Sequence, residues 1–165
     1  MAEISWADVG PGLRIAVIER PRGGLRLDDD MRRLRSEGVD VLVSMLPREE
    51  AEEMGLEDEA SAARNAGVEY HAFPVEDMGT PRSMSEAHAL IRRLSDALKQ
   101  GKGIAFHCRA GIGRSPMMAA ATLAMAGVPV EKAVGALSKA RGFVVPETEE
   151  QRGWIDRFME SAGRS

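Results

Sequence analysis

The stretch IAFHCRAGIGRSPMMAAATLAMAG, residues 104–127, constrains the fold more than any other part of the chain. From Met117 onward it is apolar on every side at helical spacing, and a helix with no polar face has to be buried all round. Such a helix is expected at the centre of the molecule. Ser115-Pro116 offers an N-cap and a proline at the first helical position, and Gly127 ends the helix. The preceding IAFH, 104–107, is short and apolar and reads as a strand. Between strand and helix the chain packs two glycines, two arginines and its only cysteine, Cys108.

The remaining sequence alternates in the same way. LRIAVIER (13–20) and VDVLVSML (39–46) read as strands, the second too continuously apolar to leave one face wet and therefore interior. LDDDMRRLRSEG (27–38) starts acidic, turns basic and closes on Gly38, the polarity of a helix. Short helical pieces near 47–54 and 57–66 lead to VEYHAFP (68–74), a strand closed by proline. Ser83 and Glu86 have capping-box spacing, and Ala87, Leu90, Ile91, Leu94 and Leu98 recur at helical intervals, which predicts an amphipathic helix over 83–100. Helices at 129–142 and 148–161 complete the chain, the last turning Trp154, Ile155, Phe158 and Met159 inward. Alternating strands and helices predict an α/β architecture with a mostly parallel central sheet of about four to five strands flanked by helices.

At 165 residues the chain suits a single domain, 1–165. The net charge of −4 provides no global attraction for nucleic acid or anionic lipid, so a bound anion has to be held by a local set of donors. No apolar run reaches the ~20 residues of a membrane span, and the start, MAEISWADVG, lacks the regions of a signal peptide. A cytoplasmic monomer with neither nucleic-acid nor membrane partners is expected. One cysteine and three scattered histidines give no ligand spacing for a metal, and no cofactor is expected.

The loop between the buried strand and the buried helix lies where open α/β sheets bind ligands. Gly111 and Gly113 let the backbone curl with successive N–H groups pointing inward, and the helix start adds unsatisfied donors and a partial positive charge. Arg114 brings a planar fork suited to two phosphate oxygens. The same field favours the thiolate of Cys108, whose ordinary pKa of ~8.5 can fall to between ~3.5 and ~7.5 at a cationic helix start. An anionic sulfur at the floor of a dianion pocket points to phosphoryl transfer onto sulfur.

HCRAGIGRS at 107–115, His-Cys followed after five residues by Arg-Ser, resembles the signature of the cysteine-dependent protein tyrosine phosphatase superfamily. Chain length and the late position of the motif resemble its small, dual-specificity branch. The resemblance implies the phosphotyrosine protein phosphatase II fold. It further implies that Cys108 forms a phosphocysteine intermediate, Arg114 stabilises the transferring group, His107 orients the loop, and Ser115 donates to the departing sulfur. Arg109, Ala110, Gly111, Ile112 and Gly113 would line the oxyanion site with Arg114. PVEDMGTP (74–81) resembles the family's general-acid loop: Asp77 would be acid in the first step and base in the second, with Glu76 its adjacent rival. RGFVVPETEEQ (141–151) resembles the segment that carries a water-positioning glutamine, here Gln151, although Thr148 and Gln151 also have capping-box spacing.

Each assignment has a plainer rival: a small buried apolar residue for Cys108, an N-cap for Ser115, a core histidine for His107 and a solvated loop carboxylate for Asp77. His71 and His88 read as structural or exposed, and Arg109 as a rim residue. The single tyrosine, Tyr70, gives no aromatic recognition loop, and RAGIG holds no lysine that would neutralise additional phosphates. A phosphorylated protein or peptide, chiefly phosphotyrosine, therefore ranks as substrate above a phosphoinositide or inositol phosphate. A non-catalytic phosphotyrosine-binding module and a rhodanese-like sulfurtransferase are the readings from other classes.

Overall fold

Alternate residues of the inner strands serve different layers of the protein, which is why those strands read as continuous apolar runs. The computed structural model describes residues 3–163. Met1 and Ala2, the start of the segment read for a leader, and Arg164 and Ser165 lie outside the described residues. The elements are β1 (Ser5–Trp6), β2 (Arg14–Ile18), a 3-10 turn (Gly24–Arg26), α1 (Leu27–Ser36), β3 (Val41–Ser44), α2 (Arg48–Glu53) and α3 (Glu59–Asn65). They continue with β4 (Glu69–Ala72), α4 (Met84–Lys99), β5 (Gly103–His107), α5 (Arg114–Met125), α6 (Val130–Arg141) and α7 (Glu149–Ala162).

The five strands run in the order β1-β2-β5-β3-β4, parallel except for β1, which pairs antiparallel to β2. Ile15, Val17, Val41, Val43, Ile104 and Phe106 pack with α4, α5, α6 and α7 on one face. Ala16, Ile18, Leu42 and Ala105 pack with α1 and α3 on the other. The expected α/β architecture with a mostly parallel sheet is the observed one, and β3 is interior between β5 and β4. Helix α5 is buried from Arg114 to Ala124 and packs against α4, α6 and α7, the central position its all-round apolarity requires.

Two differences from the sequence reading have local causes. β1 is too short for any periodicity, and its register, Ser5 opposite Val17 and Trp6 opposite Ala16, depends on its partner strand. α5 starts two residues earlier than Ser115-Pro116 indicates: Gly113 occupies the cap and Arg114 is the first helical residue, so the Ser115 hydroxyl does not cap the helix. Among the described residues no helix is long and apolar enough to cross a membrane.

Candidate active site

The carboxyl edge of the parallel strands gathers the turn after β5 (residues 108–113), the 73–83 segment after β4, and α2 after β3. Gly111 takes a positive φ of 74°, and a Cβ there would stand 2.9 Å from the Ile18 carbonyl oxygen, so only glycine permits this turn against β2. The turn directs its carbonyls outward onto arginines. Arg141, at the end of α6, donates from Nε to Gly111 O at 3.0 Å and from Nη2 to Ala110 O at 3.0 Å, and Arg20 donates to Arg109 O at 3.3 Å. With carbonyls tied back, amides face the interior of the ring.

Cys108 is buried at that centre. Its Sγ lies 3.2 Å from Ser115 Oγ, and the amides of Gly111 and Ser115 also point at it. Burial disfavours the thiolate, but the Ser115 hydroxyl, the two amides and the Arg114 charge outweigh it and hold the thiol below its ordinary pKa. The sulfur is thus set among hydrogen-bond donors and beside a cation, unlike an apolar core cysteine.

Arg114, 2% exposed, is fixed by acidic and carbonyl acceptors. Nη1 donates to Glu50 Oε2 at 2.7 Å and to Val75 O at 2.9 Å; Nη2 donates to Glu50 Oε1 at 3.1 Å and lies 3.3 Å from Asp77 Oδ1. Of the two rival carboxylates, Asp77 therefore faces the guanidinium, whereas Glu76 turns away to Arg82 at 3.7 Å. Met78, immediately after Asp77, takes a left-handed φ of 62° that bends the loop at this point. Arg109 sits half-exposed on the rim, 3.5 Å from both Glu50 and Glu53, while Ala110 is exposed and Ile112 half-buried.

Behind the sulfur, His107 is wholly buried, with Nδ1 3.1 Å from Cys108 O and Nε2 2.5 Å from Glu59 Oε2. Gln151 is also wholly buried and completes the capping box with Thr148, while its Nε2 donates to Gly79 O at 3.1 Å. Its amide lies against Gly113, where a Cβ would meet its terminal atoms at 2.9 and 3.0 Å. Gln151 thus ties α7 to the loop that carries Asp77. His71 pairs with Glu69, and His88 stacks on Phe158 at 4.4 Å, both away from the sulfur.

Glu50, Glu59 and Arg141 are the residues that sequence reasoning missed. Their only signal was residue type: a carboxylate or arginine without an evident structural task. Nothing local links them to positions 64, 48 and 30 residues away along the chain.

A family described as "Polymorphic toxin system, DSP-PTPase phosphatase" matches residues 16–128, from within β2 to just past α5. Cyclin-dependent kinase inhibitor 3 of Rattus norvegicus is 23% identical over 152 residues, covering 91% of this chain and 69% of the relative. Among solved structures, kinase associated phosphatase with its catalytic-site cysteine substituted by serine superposes with a TM-score of 0.83 at 20% identity, over 99% of this chain and 97% of that one. PTPMT1 in complex with PI(5)P superposes with a TM-score of 0.70 at 22% identity, over 90% of this chain and 94% of that one.

Proposed function

Since the chain belongs to the DSP-PTPase phosphatase family of polymorphic toxin systems and is a phosphatase, we propose that it hydrolyses phosphomonoesters of phosphoproteins, chiefly phosphotyrosine, through a phosphocysteine on Cys108. The observation that carries this reading is the buried Cys108 sulfur held by Ser115 Oγ at 3.2 Å and by inward amides beside the Arg114 guanidinium. In the first step the thiolate attacks phosphorus, the P–O bond to the leaving group breaks, and Asp77 gives that oxygen its proton. In the second, water attacks the phosphocysteine, Asp77 takes the water proton, and the Ser115 hydroxyl donates to the sulfur as the S–P bond breaks. Arg114 and the loop amides hold the equatorial oxygens throughout.

Asp77 Oδ1 lies 3.3 Å from Arg114 Nη2, beside the group that would hold the phosphoryl oxygens. The position of Glu76 against Arg82 supports Asp77 as the acid.

Phosphoinositide hydrolysis is the second reading, favoured by the likeness to PTPMT1 in complex with PI(5)P. Against it stand the absence of lysine in the 109–113 loop and the acidic α2 beside the pocket. The deciding experiment compares phosphotyrosine, phosphoserine and phosphothreonine peptides with phosphoinositides, using wild type and Cys108→Ser. Turnover of phosphopeptides, lost in the variant, with phosphate label trapped on Cys108 of the wild type by rapid quenching is expected. Preference for the lipid headgroups would replace the protein-substrate reading, and undiminished turnover by Cys108→Ser would remove the covalent mechanism.

A further inference from the structure

Glu59 opens α3 yet is 1% exposed, an unusual depth for a carboxylate at a helix start. Both of its oxygens are engaged. Tyr70, on β4, donates its hydroxyl to Oε1 at 3.0 Å, and Oε2 lies 2.5 Å from His107 Nε2. On the other side of the ring, His107 Nδ1 is 3.1 Å from the Cys108 carbonyl oxygen. A backbone carbonyl can only accept, so Nδ1 carries a hydrogen; a carboxylate can only accept, so Nε2 carries one too. The tyrosine hydroxyl donating to Oε1 leaves the negative charge on Glu59 and the proton on the imidazole. Tyr70, Glu59, His107 and Cys108 therefore form one hydrogen-bonded chain from strand β4 to the nucleophile, half-buried at Tyr70 and buried from Glu59 onward.

We infer that Glu59 is a positioning residue of the catalytic loop: it keeps His107 doubly protonated, so that the imidazolium pins the Cys108 carbonyl away from the pocket and sets a buried positive charge behind the sulfur. Tyr70 fixes the carboxylate from the opposite side. The inference rests on Cys108 being the nucleophile.

The charged surroundings support it. Glu59 from α3 and Cys108 from the loop are the titratable groups facing His107, whereas its neighbours on the flanking strands, Ile18 and Ser44, bring no charge. Burial opposes a charged imidazole, but the Glu59 carboxylate, its hydrogen bond and the Cys108 carbonyl and sulfur outweigh burial and raise His107 above its ordinary pKa. Burial, followed by the Glu59 charge, pushes the Tyr70 phenol well above its usual range, so Tyr70 remains a donor. On the far side of the sulfur the Arg114 guanidinium faces Glu50 and Asp77, so much of its charge is already balanced. The imidazolium has its own counterion at Nε2, and its other nitrogen, Nδ1, faces the carbonyl of Cys108.

Glu59→Gln removes the charge while retaining the shape: its amide can donate to a neutral Nε2, and Nδ1 still donates to Cys108 O. The readout is the pH dependence of Cys108 alkylation by iodoacetate, which needs no turnover. Its midpoint is expected to rise by about one unit, so that about tenfold less thiolate reacts below it, and the acid limb of kcat/KM should move with it. Tyr70→Phe is expected to move the midpoint in the same direction by less. An unmoved midpoint in a folded Glu59→Gln overturns the inference. Nitrogen NMR of His107 in the unaltered protein gives a test that no folding defect can mask: both ring nitrogens should carry hydrogen at pH 7.5, and a neutral ring overturns the inference. If alkylation shifts as expected while Cys108→Ser retains turnover, the covalent reading fails and the electrostatic coupling stands. If Cys108→Ser is inactive and the Glu59→Gln midpoint is unmoved, the reverse holds.

Discussion

Gly111 and Asp77 show how single residues set the chemistry of the pocket. At Gly111 a methyl group would approach the Ile18 carbonyl oxygen to 2.9 Å at a φ of 74° that side-chain residues rarely adopt. Gly111→Ala is therefore expected to destabilise the fold by about 1–3 kcal/mol and to lower kcat/KM at least about tenfold, because the amide aimed at Cys108 turns with the backbone. Thermal melts and initial rates measure the two effects separately. Asp77→Asn keeps the size of the side chain but cannot donate a carboxyl proton to the leaving oxygen. Alkyl phosphates should lose about 100-fold or more in kcat and p-nitrophenyl phosphate much less; equal losses would assign Asp77 a role in binding alone. At this scale Cys108, Arg114 and Ser115 were legible because one contiguous loop holds them, and loop chemistry is written in adjacent residues. Glu50 and Glu59 were not, since each meets its partner only after α2 and α3 have docked beside β5, and nothing in a string of surface-type glutamates marks which two turn inward.

Elements explain what holds the ring open. Arg141 is the last residue of α6, and its guanidinium reaches two carbonyls of the 108–113 loop while lying 5.1 Å above the Phe143 ring. A helix end thus serves as a clamp on a loop formed by a different strand and helix. Arg141→Ala is expected to let Ala110 and Gly111 carbonyls rotate toward the pocket, where they repel phosphate. Competitive inhibition by inorganic phosphate or vanadate should weaken about tenfold with a smaller change in kcat; an unchanged inhibition constant would show that the loop holds its shape without the clamp. α7 works on the acid loop in a similar way. Its capping box was legible from Thr148 and Gln151, because capping depends on residues three apart. The second bond of Gln151, to Gly79, was not, because it spans 72 positions. For the same reason Ser115 read as a cap: Ser-Pro before an apolar run is an ordinary helix start, and only the position of the Cys108 sulfur diverts that hydroxyl from the backbone.

The whole molecule carries two kinds of buried ion pair whose effects on stability oppose one another in pH. Asp30 is buried at the α1 face and receives hydrogen bonds from the backbone and side chain of Arg22, including Nη2 to Oδ1 at 2.6 Å. Burial alone would raise its pKa, but those bonds and the Arg22 charge outweigh it and lower the pKa below 3.8. Its contribution is present above pH 3.8 and is lost as pH falls through the lower folded value. His107 has the opposite sign: its folded pKa lies above 6.5, so its contribution is full below pH 6.5 and is lost as pH rises through the folded value. Cys108 offsets that loss, because a folded thiol lowered below 9.0 gains stability as the thiolate forms. Replacing the sulfur exposes the histidine contribution. In Cys108→Ser the melting temperature should therefore hold its maximum between about pH 4 and 6.5 and decline on both sides. Adding Asp30→Asn should weaken the acid-side decline, and adding Glu59→Gln the alkaline one, each at the cost of a lower plateau. A melting temperature in Cys108→Ser that keeps rising from pH 6.5 to 9 would mean that His107 is neutral in the folded protein, and that the sulfur is held as thiolate by Ser115, the loop amides and Arg114 alone.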